Sequence, residues 1–181
     1  MLSQRYKPVL TFIKIFLIDN GASMKVSWEV AAKVCVALAM KIGRLDEDGL
    51  DLKFAFGDKF NVHAKGWKIF KHFTEAFDKV RKEILDSDKT NMAEALEKIF
   101  DTYDPKKKRL TLIILTTGDW TGEPDNVEKL VAQFLTMLKM KLGKFEKRWF
   151  TIQFIAFGKE IAHLQRLQKL DDLLPVLYDV E

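Results

Sequence analysis

Hydrophobic and polar positions along the chain follow two alternating rhythms. From Val9 to Ile18, apolar side chains occupy both sides of a pleat, interrupted by Thr11 and Lys14. Such a run predicts a strand buried on two faces, as in the middle of a parallel sheet. It stops abruptly at Asp19-Asn20-Gly21-Ala22-Ser23-Met24. Trp28, Ala31, Ala32, Cys35, Leu38, Ala39 and Ile42 then recur at helical spacing, with Gly43 as the stop signal. Residues 49–56 set Leu50, Leu52, Phe54 and Phe56 against Asp51, Lys53 and Ala55, predicting a strand that is wetter on one side and nearer an edge. Gly57-Asp58-Lys59 turns that strand into Phe60 to His63, the return arm of a hairpin.

Trp67, Phe70, Phe73, Phe77, Val80 and Ile84 form an aromatic stripe down a helix over residues 66–85, read as a core-facing stripe. A polar break at 86–91 precedes a helix carrying Ala95, Leu96, Ile99, Phe100 and Tyr103, and Asn91 with Glu94 has capping-box spacing. Leu110 to Leu115 is a second doubly apolar strand, leading into Thr116-Thr117-Gly118-Asp119-Trp120. A helix over 125–142, a third long strand from Trp149 to Phe157 and a helix marked by Ile161, Leu164, Leu167 and Leu170 complete the alternation. Beyond Pro175, Val176 to Val180 reads as a short strand at the sheet edge. Strands alternating with helices imply one α/β domain over 1–181: a doubly wound, mostly parallel, Rossmann-like sheet with helices on both faces and one antiparallel edge strand.

Bulk composition narrows this picture only slightly. A net charge of +4 from 30 basic and 26 acidic residues is a small excess, a weak argument for an anionic partner. Two basic clusters, Lys106 to Arg109 and Lys139, Lys141, Lys144, Lys147 and Arg148, lack the aromatic interleaving of a nucleic-acid platform and read as solvated faces. The lone cysteine, Cys35, lies in an apolar stretch, which points to a reducing, intracellular and cytoplasmic setting. No run approaches the roughly 20 apolar residues of a membrane span, and the first strand lacks a signal-peptide cleavage pattern.

Candidate chemistry gathers where buried strands end, because the carboxyl edge of an open α/β sheet forms a crevice. Asp19 and Ser23 follow the first strand, Thr90 opens a helix, and Thr117 and Asp119 follow the second buried strand. A plain structural account of these residues is also open. Asp19 accepts backbone N–H groups in its loop, Ser23 caps the first helix, and Thr90 caps the helix near Asn91. His63, His72 and His163 share no metal-ligand spacing, and Cys35 lies inside a helix instead of at its activating amino end.

Taken together, a hydrophobic strand followed by Asp-x-x-x-Ser and a helix, a later Thr opening a helix, and a strand followed by Thr-x-Gly resemble the von Willebrand factor A (vWA) domain. The resemblance covers nearly the whole chain and is nearest to fungal intracellular-type members. It is carried by Ile18-Asp19-Asn20-Gly21-Ala22-Ser23-Met24, Asp48-Gly49-Leu50-Asp51-Leu52, Thr90-Asn91-Met92-Ala93-Glu94-Ala95-Leu96 and Ile152 to Gly158 with Leu170-Asp171-Asp172. In that family three loops assemble a metal-ion-dependent adhesion site, or MIDAS. It is built from an Asp-x-Ser-x-Ser loop, a Thr in the second loop and an Asp after the third-loop strand. Asp19, Ser23 and Thr90 match it. Gly21 replaces the first Ser, Thr117 stands at the Asp position, and Asp119 lies two residues beyond. Mg²⁺ requires six hard oxygens, so these departures predict weak binding of Mg²⁺ or Mn²⁺, or none, unless waters, Thr117 or Asp119 fill the shell.

The resemblance implies a non-enzymatic protein-interaction module. Its protein partner would dock over loops 19–24, 86–91 and 116–122, in the family through an acidic side chain, with Asn20, Asn91 and Trp120 as further contacts. Trp120 has two open placements, partly exposed on the third loop or folded back onto the first helix. Two rival readings remain. One is a haloacid dehalogenase-like phosphohydrolase using Asp19, with Thr116, Lys159 and Asp171-Asp172, although its second acid would fall at Gly21. The other is a metal-free structural or scaffold domain. The oligomeric state is not readable from these patterns.

Overall fold

β1, Thr11–Ile18, holds the centre of the sheet, and its second half is buried on both faces. Ile15, Phe16, Leu17 and Ile18 are all buried. In the computed structural model, residues 11–44, 47–83, 89–123, 125–143 and 149–178 are described. Val9 and Leu10, which the hydrophobic pattern joins to this strand, lie outside them, as do Ile84, residues 86–88, and Lys144, Lys147 and Arg148.

The elements alternate as the periodicity predicts. β1 is followed by a 3₁₀ turn, Ala22–Ser27, and α1, Trp28–Gly43. β2, Leu50–Phe54, pairs with the short antiparallel β3, Val62–Ala64, and α2 spans Lys68–Glu83. α3, Met92–Asp101, leads to β4, Lys108–Thr116, then α4, Asn126–Leu142, β5, Phe150–Ala156, and α5, Ile161–Tyr178. The strand order is β3-β2-β1-β4-β5, parallel throughout except for β3. This is the α/β architecture with one antiparallel edge strand that the alternation of patterns implies.

Side-chain alternation along β1 divides the core into two layers. Phe16 and Ile18 face α1 and α2, packing with Trp28, Phe54, Phe73 and Phe77. Ile15 and Leu17 face the other side, with Leu96, Phe100, Phe134, Leu138 and Phe150. Burying each such side chain contributes about 1.5–3 kcal/mol, so both faces of the sheet are held by burial.

Two expectations need correction, and a third gains a second reason. The aromatic stripe of α2 is split. Ile69, Phe73, Ala76, Phe77 and Val80 are buried, whereas Trp67 is 76% and Phe70 58% exposed. Trp67 precedes the first residue of the helix, and Phe70, seven residues from Phe77 and so nearly in line with it, sits at the margin of the buried face where neighbouring elements leave it uncovered. Gly43 closes α1, but its small size serves packing as well: an added Cβ would lie 2.1 Å from Ile69 Cδ1. Val176 to Tyr178 belong to α5, which runs through Pro175, instead of forming a strand; Asp179 and Val180 lie outside the described residues. One proline removes a single backbone hydrogen bond, and here this does not end the helix.

Candidate functional site

The strand register brings the candidate site together. β1 and β4 are parallel neighbours with Ile18 opposite Leu115, and the Asp19 N–H donates to the Leu115 carbonyl at 2.9 Å. The next rung therefore sets Asp19 beside Thr116, on the same face of the sheet. Thr116 Oγ1 donates to Asp19 Oδ2 at 2.6 Å. Thr90, delivered by the segment before α3, donates its hydroxyl to Asp19 Oδ1, which also accepts the Gly21 N–H at 3.1 Å. Both oxygens of a fully buried carboxylate are thus engaged. Burial pushes the Asp19 carboxyl above its ordinary value, and the bonds from Thr116, Thr90 and Gly21 oppose that rise.

A second layer of bonds ties the third loop to this carboxylate. Thr116 Oγ1 accepts from the Gly118 N–H at 2.9 Å and from Trp120 Nε1 at 2.8 Å. The Thr121 N–H donates to the Thr90 carbonyl at 2.9 Å, so the second and third loops are also joined through their backbones. Ser23 and Thr117 form a separate hydroxyl pair at 2.7 Å.

Each sequence-predicted residue can now be placed. Asp19 and Thr90 meet directly. Ser23 and Thr117 meet each other, so Ser23 bonds across the crevice and does not cap a helix. Asp119 turns away, with Lys89 at 2.8 Å and His163 at 3.7 Å, and lines a pocket of about 440 Å³ against α5. Asn91 caps α3 by accepting the Glu94 N–H, as its spacing implies. Asn20 is not a surface contact: it is buried and its amide clasps Phe56, accepting its N–H at 2.9 Å and donating to its carbonyl at 3.1 Å. Trp120 is 5% exposed and packs against Phe154, on the side of the sheet opposite α1, with the Arg166 guanidinium over its ring. Neither placement expected for it holds, because its N–H is drawn to Thr116.

Thr116 is the residue that the motif comparison passed over as a binding group. Its signal was available in the alternation of Leu110, Leu112, Ile114 and Thr116, matching that of Ile15, Leu17 and Asp19.

The donor set fits a resident divalent ion poorly. One carboxylate supplies the charge, its two oxygens already accept three hydrogen bonds, and the other donors are neutral hydroxyls bonded among themselves. Among the described residues no three His, Cys, Asp or Glu side chains cluster to hold a metal. Phosphoryl transfer through Asp19 is equally ill served. The nucleophile would be fully buried, while Lys159, Asp171 and Asp172 are exposed residues of the α5 region.

Among solved structures the chain is similar to BatB from Bacteroides thetaiotaomicron, with a TM-score of 0.52 and 14% identity, over 81% of this chain and 67% of that one. The two share a fold. The VWA domain of SpRpn10 overlays at a TM-score of 0.49 and 9% identity, over 95% of this chain and all of that one. Proximal thread matrix protein 1 from the mussel byssus overlays at 0.49 and 14% identity, over 94% of this chain and 47% of that one. No protein-family model matches the chain, and no curated protein is similar to it in sequence. Among the described residues, no helix is long and apolar enough to cross a membrane.

Proposed function

We propose that the chain is a protein-interaction module of the vWA type, and that its partner docks on the carboxyl-edge rim of the sheet. The observation that carries this reading is the closure of three separate loops on one buried carboxylate. Asp19, Thr90 and Thr116 spend their polar groups on one another and so hold the loops in a fixed arrangement. A rim fixed from beneath is preorganised, and association then costs less ordering of the binding loops. Above the cluster, Ser23 is half-buried and Val26, Lys89, Asn91 and Thr121 are exposed, offering one apolar and several polar contacts. The exposed Lys25 and Lys159 offer this rim contacts for an acidic side chain on the partner, while Lys89 is held by Asp119. Mg²⁺ or Mn²⁺ binds weakly or not at all, and docking proceeds without it.

The test is hydrogen exchange on the protein alone and with a partner isolated through it. Protection at 19–26, 89–91 and 116–123 is the expected result. Protection confined to other surfaces overturns the rim as the docking site. A generic phosphatase assay provides the rival arm: turnover that disappears in Asp19→Asn would replace a binding module with an enzyme.

A further inference from the structure

Gly118 sets the width of the pocket between the third loop and α5. Its φ of +81° and missing side chain let the loop run against the helix, where an added Cβ would lie 3.0 Å from the His163 carbonyl oxygen. About one turn further along α5, Arg166 reaches back to this loop. Its Nη1 donates to the Gly118 carbonyl at 3.1 Å, and its guanidinium lies 5.5 Å from the centre of the Trp120 ring. Trp120 is in turn fixed by its bond to Thr116. Loop, indole and guanidinium therefore hold one another, and a wall that is already ordered lowers the cost of binding a ligand.

The charges lining this pocket leave one cation over. Asp119 faces Lys89 at 2.8 Å with His163 at 3.7 Å, and the buried Glu128 is held by Lys169 at 3.2 Å. Asp125, just before α4, is held by Lys129 at 2.8 Å. Arg166 differs from the other cations. Among the described residues no carboxylate pairs with it, and the Gly118 carbonyl takes one of the five N–H donors of its guanidinium. A half-buried guanidinium lining a cavity, with donors to spare, suits a planar anion that it can bind through two parallel N–H···O bonds. The surplus is a single charge, so a carboxylate balances it, whereas a phosphate dianion would leave one negative charge over. We infer that this pocket seats a carboxylate of the partner, from an Asp or Glu side chain, and that Arg166 is the group that grips it. The inference rests on the rim reading for its partner, while the carboxylate chemistry belongs to this chain alone. It also accounts for docking without a metal, because the incoming acid is met by a guanidinium instead of sharing an ion with Asp19.

The experiment titrates acetyl-Gly-Glu-Gly-amide, to millimolar concentration, into the isotope-labelled protein and follows its NMR spectrum, beside the Gln and phosphoserine versions of the same peptide. The Glu peptide is expected to shift the Arg166 Nε–H and Trp120 indole signals saturably, and the Gln peptide to leave them in place. Arg166→Gln, which keeps a donor for the Gly118 carbonyl, should weaken the Glu peptide at least about tenfold, the worth of one charge-assisted pair. Lys79→Gln removes the same charge from α2, on the other face of the sheet, and should change nothing. Asp119→Asn removes an acid from the pocket and should tighten binding about two- to fivefold, a gain that a misfolded variant cannot give. No saturable shift, equal shifts from the Glu and Gln peptides, or tighter binding of the phosphoserine peptide overturns the inference. So does affinity indifferent to Arg166→Gln or Asp119→Asn, or lowered equally by Lys79→Gln. Hydrogen-exchange protection of the rim by a partner, with no carboxylate binding here, would leave the rim reading standing and remove this pocket from it.

Discussion

Thr116→Val keeps the shape of the side chain and deletes one hydroxyl. That hydroxyl donates to Asp19 Oδ2 at 2.6 Å and accepts from the Gly118 N–H at 2.9 Å and from Trp120 Nε1 at 2.8 Å. The lost charge-assisted bond is worth about 1.5–3 kcal/mol, and each buried donor left without an acceptor costs about 1–3 kcal/mol. The extra methyl returns less than about 1 kcal/mol, and loop relaxation recovers part of the rest, which gives a loss of about 4–6 kcal/mol. This is a large share of the roughly 5–15 kcal/mol that stabilises an ordinary domain. Thr90→Val is the matched control. It removes one donor from Asp19 Oδ1, which keeps the Gly21 N–H, so about 1.5–3 kcal/mol is expected. Urea unfolding at neutral pH measures both. The deficit of Thr116→Val should shrink in acid, because the deleted bond favours the ionised carboxylate and a protonated Asp19 has less to lose. A Thr116→Val variant less than about 1.5 kcal/mol below wild type, or no worse than Thr90→Val, would refute the hydroxyl as the keystone.

The same reasoning gives four further expectations. Because burial raises the Asp19 carboxyl, its contribution is greatest below the unfolded value of about 3.9 and is lost as pH rises through the folded value. Stability of wild type relative to Asp19→Asn should therefore fall across that window and level off above it, and urea midpoints at stepped pH would contradict this if the difference rose instead. Asn20→Ala strips both partners from the Phe56 peptide group and should lower stability by about 1–3 kcal/mol, read by thermal melting. Gly43→Ala forces a Cβ against the buried Ile69 and should cost about 1–3 kcal/mol by overpacking, despite the better helix propensity of alanine. Millimolar Mg²⁺ or Mn²⁺ should leave the melting temperature of the wild type nearly unchanged, while Gly21→Ser with Thr117→Asp should acquire a metal-dependent rise. Gly21 has a φ of −72° that any residue adopts, so the first change needs no backbone adjustment.

The layout of the sheet was legible in the sequence because burial on two faces leaves long apolar runs, and β1 and β4 carry them. The Asn91 cap was legible for an equally local reason, since three residues suffice to specify it. Thr116 was harder to see. A one-residue step along a strand reverses the direction of the side chain, so a motif that points to Thr117, whose hydroxyl meets Ser23, leaves unread the neighbour that meets Asp19. The fates of Trp67, Phe70 and Trp120 depend on which neighbouring elements cover them, and a helical or loop pattern holds no record of that. Pro175 misled in the opposite way, because a strong local stop signal was overridden within α5.

The Asp19–Thr116 contact is the rung that follows Ile18–Leu115, so it is inherited from the ladder of the sheet and not from the course of any loop. Insertions or substitutions introduced after Thr121 can accordingly recontour the outer surface while the anchor beneath stays in place. Such a division lets one scaffold be retargeted by loop grafting without being redesigned, and a graft at 122–125 that preserves wild-type unfolding would be the first step in using it.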